Sequence, residues 1–301
     1  MSCRLIINAD DFGWSEGVNR AVCALYDEGI VTSTSLMLAA PAAPAAVELA
    51  RKRAGLAVGL HMVLVHGPAL LPHHEVPQLT DSRGWFSLDC TAAALRYTFI
   101  PACRQQLRRE LQAQFRTFDA LGLGWSHVDS HLHFAVVPAF FRAALALAEQ
   151  YRPLGYRLPE DDSRLYARMD PADAARQRVH AAWFRGLCSG QRRQLESRGF
   201  VTTRFCYGFF RTGRLDSTYL SRLIHEMPDG DFELHCHPSL STEAGRGEFE
   251  ALRSREFRTA LSERGVELAT YGSLHRSQDT PDRWAAEVDD RPVCRQSSER
   301  W

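Results

Sequence analysis

The fold of this chain is indicated by its opening stretch, Arg4-Leu5-Ile6-Ile7-Asn8-Ala9-Asp10-Asp11-Phe12-Gly13. The apolar run over 5–7 predicts a short buried strand rather than a helix, because polar residues and a glycine end it at once. Two adjacent carboxylates, Asp10 and Asp11, follow where that strand ends. Neighbouring residues point to opposite sides of an extended chain, so these two carboxylates can serve different roles at one site. Taken alone, the stretch also fits a turn with a side-chain cap before a helix that begins near Ser15.

Strand-like and helical segments alternate along the rest of the chain. Helices are predicted over 15–29, 44–53, 105–121, 138–150, parts of 160–198, 217–226 and 248–264. Further strands are predicted over 31–38, 57–61, 125–133, 155–159, 205–209, 231–238 and 266–271. This alternation is typical of a parallel sheet wound with helices. We predict an α/β fold, an irregular (β/α) TIM-like barrel in a single domain over residues 1–275, with a polar, disordered tail over 276–301.

The polar residues that end these strands favour a barrel over an open doubly wound sheet. They are Asp10 and Asp11, His61, Asp129 and His131, and His235 and His237. In a barrel such positions meet at one mouth, the face where barrel enzymes carry out their chemistry. An open sheet would bring strand ends together around only one crevice. No GxGxxG or GxxxxGK[ST] motif follows the first strand, so a nucleotide-binding fold has no support.

Composition excludes several classes of partner. Lys+Arg and Asp+Glu both number 36, so the formal net charge is zero and the broad basic surface of a nucleic-acid-binding protein is not expected. No secretory signal and no membrane-spanning run are apparent. The eight cysteines show no CxxC spacing and are expected to be reduced thiols, which predicts a cytoplasmic protein.

The residue types at the predicted mouth suit a divalent metal ion. The candidate ligands are one carboxylate and two or more neutral imidazoles, a set that suits Zn²⁺ and leaves one coordination position open for water or substrate. The carboxylate would come from Asp10 or Asp11, and the imidazoles from His61 and one or more of His127, His131 and His133. The same set would also hold Fe²⁺, so these residues do not fix the metal. On a continuous strand His127, Asp129, His131 and His133 would all face one side, where four polar groups are costly to bury without a partner.

Five motifs, in this order, resemble the YdjC/ChbG family of carbohydrate deacetylases. They are Asn8-Ala9-Asp10-Asp11-Phe12-Gly13, Ser15-x-x-Val18-Asn19, Gly59-Leu60-His61, Asp129-Ser130-His131-x-His133 and Glu233-Leu234-x-Cys236-His237-Pro238. The resemblance covers about residues 4–275. Softer signals are similar to the hopanoid-biosynthesis-associated branch of that family: Leu64-Val65-x-Gly67, Arg96-Tyr97-x-Phe99-x-Pro101, the positions Gln105, Leu107, Glu110, Gln114 and Phe115, and the stretch 208–213.

The resemblance implies an irregular (β/α) barrel and a hydrolase that removes acetate from an N-acetylated amino sugar. By position, Asp11, His61 and His131 would bind one divalent metal ion, Zn²⁺ in the first place and Mg²⁺ as an alternative. Asp10 would then be the general base and His237 the general acid. We add His133, Asp129 and Tyr207 as candidates for substrate contact.

The branch resemblance implies the N-acetylglucosaminyl group of a hopanoid glycolipid, based on bacteriohopanetetrol, as substrate, with free chitooligosaccharides or another N-acetylglucosamine conjugate as the alternative. An apolar rim formed by the segment 63–89 and by 207–210 would suit a lipid tail, although core packing explains these residues about as well. A lipid substrate would place the protein at the periphery of the inner membrane. Barrels of this type often form homodimers, so a homodimer is one of the expected oligomeric states.

Two other readings compete with the deacetylase. A 2-His-1-carboxylate iron oxygenase would require a jelly roll of many short strands, in place of the alternation found here. A non-catalytic sugar- or lipid-binding barrel would have the same strand-end residues without using Asp10 as a base.

Overall fold

The computed structural model describes residues 3–278 and is built on an eight-stranded parallel sheet. Its strands are β1 (Cys3–Phe12), β2 (Ser33–Leu36), β3 (Ala57–Met62), β4 (His127–Ser130), β5 (Gly155–Tyr156), β6 (Phe205–Tyr207), β7 (Gly230–Cys236) and β8 (Glu267–Leu268). The order across the sheet is β5-β4-β3-β2-β1-β7-β6, and β8 pairs with the start of β1. The α/β class and the single domain predicted from the sequence are therefore confirmed.

The sheet curves as a barrel does, but it does not close. Strands β5 and β6 form its two edges and do not pair with each other as a ladder. The segments beside them are joined by a bridge between Gly155 and Val201 and by a hydrogen bond from the Cys206 N–H to the Glu160 carbonyl oxygen at 2.9 Å. β5 and β8 have only two residues each, which leaves too few backbone groups for a complete ladder. The predicted irregular (β/α) TIM-like barrel is therefore confirmed as a barrel-like parallel sheet, which stays open between β5 and β6.

Eleven helices in the described part of the chain connect the strands. They are α1 (Glu16–Asp27), α2 (Ala43–Arg51), α3 (Cys90–Phe99), α4 (Pro101–Ala120), α5 (Pro138–Tyr151), α6 (Ser163–Met169), α7 (Pro171–Glu196), α8 (Ser217–Glu226), α9 (Glu243–Arg253), α10 (Arg255–Glu263) and α11 (Tyr271–Gln278). The predicted helix over 248–264 is two helices, because extended backbone at Ser254 ends α9 and its side chain caps α10. The tail predicted from residue 276 begins inside α11, and residues 279–301 lie outside the described part.

Alternation along β1 separates the core from the site. Leu5, Ile7 and Ala9 belong to the main apolar cluster between sheet and helices, and all are fully buried. Ile6 faces the other way, into a small cluster with Val201, Ala269, Tyr271 and Leu274 that fills the bottom of the concave face. Asn8 and Asp10 share that face further along the strand. The concave side is thus apolar at one end and polar at the end where the strands finish.

Gly59 in β3 allows a close approach between two neighbouring strands. A Cβ added at Gly59 would lie 2.4 Å from Cε1 of His127, whose ring is completely buried and has no room to move. We expect Gly59→Ala to lower the free energy of unfolding by about 1–3 kcal/mol through overpacking. The control is Gly186→Ala in α7, where the added methyl group meets no atom within 4 Å and is expected to stabilise the helix by about 0.5–1 kcal/mol. Equal effects of the two substitutions in chemical denaturation would contradict this assignment.

Within the described residues, no helix has both the length and the apolar character that crossing a membrane requires. The seven cysteines of the described residues are free thiols. The eighth, Cys294, lies outside this part of the chain. The parallel α/β sheet excludes the jelly roll that an iron oxygenase of the 2-His-1-carboxylate type would require.

Candidate active site

Three of the predicted metal ligands meet at the mouth of the sheet. Asp11 Oδ1 lies 3.0 Å from His131 Nδ1 and 3.4 Å from His61 Nε2, and the two ring nitrogens are 3.4 Å apart. These residues come from the ends of β1, β3 and β4. Asp11 Oδ1 is buried and accepts no hydrogen bond from the residues that the structure describes. A carboxylate and two imidazoles that converge in this way fit a divalent cation.

The backbone at Asp11 departs from a regular strand. Its φ is 63°, in the left-handed region, and the β1–β2 register shifts between Ala9 and Phe12. Asp10 and Asp11 therefore both reach the mouth, instead of pointing to opposite faces as in a regular strand. Such a conformation costs about 1–3 kcal/mol for a residue other than glycine and is typical of functional sites.

The environment of His61 favours a positive charge. Its Nδ1 lies 2.9 Å from Asp129 Oδ1, which leaves Nε2 directed at Asp11 and His131. Burial lowers the pKa of His61, but Asp129 and Asp11 outweigh burial and raise it to about 10. Without a metal, a proton meets this demand for positive charge, and a metal ion would replace that proton. A carboxylate behind a histidine is also the usual support of a metal ligand.

The predicted row of four polar side chains on one strand face is not formed. β4 ends at Ser130, and Leu132 and His133 have φ values of 51° and 56°. Only His131 joins the metal-binding group; His133 turns toward His235, with ring centroids 4.7 Å apart. His127 is fully buried beneath the site, against Ser35 and Tyr271. The prediction of a continuous strand over 125–133 was wrong here.

Asp10 lies in a buried cluster of charges around Arg157. The guanidinium reaches the two Asp10 oxygens at 2.8 Å each, Asp129 Oδ2 at 2.5 Å and Glu233 Oε1 at 2.8 Å. Asn8 Nδ2 donates a further hydrogen bond to Asp10 Oδ1 at 2.8 Å. Burial raises the pKa of Asp10, but the positive charge of Arg157 outweighs burial and holds that pKa well below its ordinary value. Asp10 is therefore ionised at every physiological pH.

Arg157 and Glu233 are two residues of the site that were not predicted from the sequence. Arg157 directly follows the short strand β5, so it is a polar residue at a strand end like the others. Glu233 is the first residue of the motif Glu233-Leu234-x-Cys236-His237-Pro238, and the sequence predicted no role for its side chain. It accepts hydrogen bonds from Arg157 Nε at 3.0 Å and from the Tyr271 hydroxyl at 2.7 Å. Glu233 thus binds the Nε–Nη2 edge of the guanidinium, whereas Asp10 binds the Nη1–Nη2 edge.

Two histidines from the end of β7 complete the site. His237 Nε2 lies 3.8 Å from Asp10 Oδ2, and its half-buried side chain reaches the mouth. The His237 backbone N–H donates to Glu248 Oε2 at 2.6 Å, so α9 fixes the backbone at this position. His235 is buried, with Nδ1 3.0 Å from the Tyr207 carbonyl oxygen. Burial lowers the pKa of His235 to about 3, so this ring is neutral.

The structure corrects two of the three candidates for substrate contact. The Tyr207 ring packs on Phe232, whose side chain belongs to the main apolar core, so it lies on the helix-covered face of the sheet and not in the site. Asp129 is completely enclosed by His61, Ser35 and Arg157 and so has no surface left for a substrate. His133 stays a candidate for substrate contact, at the edge of the site between His235 and Phe209.

Asp161 lies near the site and gives the protein a pH-dependent stability. Burial raises the pKa of this carboxyl to about 7, although backbone N–H groups that include that of Phe210 partly oppose the shift. A raised pKa in the folded state contributes stability below the unfolded pKa, near 4, and this stability is lost as pH rises through 7. We expect Asp161→Asn to be more stable than the wild type by roughly 2–4 kcal/mol at pH 8, with the difference vanishing toward pH 4. Denaturation curves that differ equally at pH 4 and pH 8 would contradict this.

The chain is similar to several known proteins. The family model of YdjC-like proteins matches residues 4–263. A carbohydrate deacetylase of Brevibacillus brevis is 41% identical over 51% of this chain, and the match spans only 59% of that protein. A chitooligosaccharide deacetylase of Serratia marcescens is 29% identical over 90% of this chain and 98% of its own length. The crystal structure of an Enterococcus faecalis V583 protein named for cellobiose-phosphate cleavage is 26% identical, with a TM-score of 0.69 over 91% of this chain and 99% of that protein.

Proposed function

This chain belongs to the family of YdjC-like proteins, and on that premise we propose that it is a metal-dependent N-deacetylase of acetylated amino sugars. One observation carries the proposal. A metal-binding group, Asp11 with His61 and His131, lies beside an ionised carboxylate, Asp10, with a second imidazole, His237, next to it. Amide hydrolysis needs an electrophile, a proton acceptor and a proton donor in one place. The names of the Brevibacillus and Serratia relatives support the same activity.

Asp11, His61 and His131 would hold the metal ion. When bound, a divalent ion supplies Lewis acidity, which polarises the acetamide carbonyl and makes water more acidic. The contribution of the chain is to orient these ligands. Asp129 fixes the His61 ring through Nδ1, and the strained backbone at Asp11 aims its carboxylate at both imidazoles.

Asp10 would accept the proton from the attacking water. Arg157 makes Asp10 a weak base by stabilising its negative charge, and for the same reason keeps it unprotonated and fixed in position. A bound metal ion would lower the pKa of water, which reduces the base strength that proton abstraction requires. Asn8 and Arg157 together hold both carboxylate oxygens, so the chain excludes other orientations of this side chain.

His237 would give a proton to the amine nitrogen as the C–N bond breaks. The hydroxyl of water goes to the acetyl carbon, so the products are acetate and a free amine. Histidine is the side chain best suited to proton transfer at neutral pH. His237 is more exposed than Asp10, with 26% of its side chain accessible against 2%, so it is the partner that a substrate entering from the mouth would meet.

We propose the N-acetylglucosaminyl group of a bacteriohopanetetrol glycolipid as the first substrate to test. The branch motifs over 64–67 and 96–101 support it. The alternative is a free chitooligosaccharide, which the name of the Serratia relative supports. A non-catalytic sugar- or lipid-binding barrel is a weaker alternative, because nothing in binding requires an ionised carboxylate beside a metal group.

The experiment is acetate release from N-acetylglucosamine, chitobiose and the hopanoid glycolipid, before and after chelation and after add-back of Zn²⁺ or Mg²⁺. We expect activity that chelation removes and add-back restores. His61→Ala should abolish metal binding and activity, whereas His74→Ala, an exposed histidine in the 63–89 segment, should change neither. Preference for free chitobiose would reject the hopanoid hypothesis and keep the deacetylase. Metal binding without acetate release from any of these substrates would favour the binding barrel.

A further inference from the structure

The exposed apolar side chains of this protein are gathered in three places. Seven large apolar residues are exposed in the part of the chain that the structure describes. Leu88, Leu95, Phe99 and Ile100 lie on or beside α3 and the start of α4, a surface that we name the α3–α4 patch. Val179 and Trp183 lie on α7, and we name this surface the α7 patch. The seventh, Leu132, separates His131 from His133 at the site itself. Their exposure is considerable, reaching 72% for Phe99 and 83% for Val179.

Both patches are rich in arginine. The residues from Cys90 to Arg109 include four arginines and no aspartate or glutamate, and the exposed Asp89 precedes them, next to Leu88. The residues from Ala174 to Leu195 include five arginines and no acidic residue, and Asp173 and Glu196 flank this range. Arg104, Arg108 and Arg109 are exposed, and within residues 3–278 none of them pairs with a carboxylate. The protein as a whole has no net charge, so positive charge is concentrated on these helices.

Contacts lead from each patch to the active site. Leu88 and Arg96 line a cavity of about 640 Å³ together with Trp85. The Trp85 ring packs edge-on against Trp14 at 6.1 Å, and Trp14 stacks on the His131 ring at 6.5 Å. The α3–α4 patch is therefore connected to the metal-binding group.

The α7 patch is connected in the same manner. The rings of His180 and Phe184, on α7, contact Phe209 at 5.2 and 4.7 Å. Phe209 in turn contacts His133 at 5.1 Å, at the edge of the site. Each patch is thus linked through neighbouring side chains to one of the two histidines on either side of Leu132, His131 for the α3–α4 patch and His133 for the α7 patch.

We propose that the face carrying the mouth docks on an anionic lipid bilayer. Exposed apolar side chains next to arginines are the combination that inserts into the headgroup region and attracts anionic lipids. Large apolar groups that face water without a partner mark interaction sites. A bilayer that meets the mouth would contact Leu132, and both patches are linked through neighbouring side chains to the histidines on either side of it.

A second copy of the chain is the less favoured occupant. A two-fold symmetric interface places the same surface of both subunits in contact. The α3–α4 patch would then face its own copy, so that four arginines of each subunit, with Asp89 beside them, would share one interface. Negative lipid headgroups supply the complementary charge that a second copy lacks.

The test is co-sedimentation of the full chain with vesicles, a readout that does not depend on the proposed catalytic activity. We expect binding to vesicles of equimolar phosphatidylglycerol and phosphatidylcholine, weak binding to phosphatidylcholine alone, and loss of binding at high salt. Arg104→Glu/Arg108→Glu should weaken binding at least tenfold, because each charge near an anionic surface contributes about fivefold. Leu95→Ser/Phe99→Ser should weaken it at every salt concentration.

The matched control is Arg20→Glu/Arg255→Glu, the same charge change at exposed arginines of α1 and α10. The decrease in the logarithm of the vesicle-binding constant should be less than half of the decrease that Arg104→Glu/Arg108→Glu causes. Thermal unfolding of each variant shows whether it is folded. Absence of vesicle binding by the wild type, or equal loss in the control, would overturn the proposal. A dimer in solution that Leu95→Ser/Phe99→Ser separates would also overturn it, in favour of a subunit interface.

Discussion

Asp10→Asn is expected to lower the turnover number for acetate release by about 10²–10⁴-fold, the contribution of a positioned general base. The substitution preserves the shape of the side chain, but an amide oxygen cannot take the proton of the attacking water. Asp10 also lies in two other groups of possible metal ligands, one with His235 and His237 and one with His61 and Asp129. If the ion is held by Asp11, His61 and His131, as proposed, Asp10→Asn should bind metal as the wild type does. Turnover, KM and metal content measured on the same preparation would test this.

Asp11→Asn is the matched comparison for Asp10→Asn, since it is the same change one residue away. It should reduce metal content as well as turnover, because Asp11 is the carboxylate that lies within 3.4 Å of both imidazoles. If Asp10→Asn retained turnover within a few-fold of the wild type, Asp10 would be a structural partner of Arg157 and the base would be another group. If both variants lost metal equally, the separation of the two carboxylates into base and ligand would be wrong.

Much of the site could be predicted from strand ends alone. The carboxyl ends of parallel strands meet at one face, and the ends of β1, β3 and β4 carry Asp11, His61 and His131, which the structure brings together. The features of the site that could not be predicted from the sequence arise where the backbone departs from a regular strand. Asp11, with a φ of 63°, and the left-handed pair Leu132 and His133 depart from regular strand geometry. A pattern with period two cannot show where a strand stops.

The missing closure and the missed Arg157 have a related cause. β5 has two residues, so its pattern is too short to indicate either its extent or the face on which the next side chain lies. Arg157 reads locally as one arginine among many, and it becomes recognisable only when Asp10, Asp129 and Glu233 converge on it from three other strands. Such a cluster is a tertiary property. In the same way, the sequence alone predicts Tyr207 as a substrate contact, and only the tertiary structure shows that its ring packs against Phe232 in the core.

Arg157→Met is expected to have the largest effect on stability of any single substitution considered, lowering the free energy of unfolding by about 3–5 kcal/mol. Methionine fills similar space but leaves Asp10, Asp129 and Glu233 buried without a counter-charge. In the wild type, Arg157 holds the pKa values of Asp10 and Asp129 below their ordinary range against the effect of burial. These two groups therefore stabilise the wild type above pH 4, and that stability is lost as pH falls.

The pH dependence of the variant should have the opposite sign. Without Arg157, burial dominates and raises the pKa values of the three carboxyls above their unfolded values, so the variant loses stability as pH rises. The deficit relative to the wild type should accordingly be larger at pH 8 than at pH 5 in chemical denaturation. Arg53→Met is the matched control, since Arg53 also grips a carboxylate, Asp27, with two nitrogens, but at the surface. It should cost less than about 1 kcal/mol. A deficit for Arg157→Met that is no larger than the control, or that does not grow with pH, would mean that the guanidinium is not what keeps these carboxylates ionised.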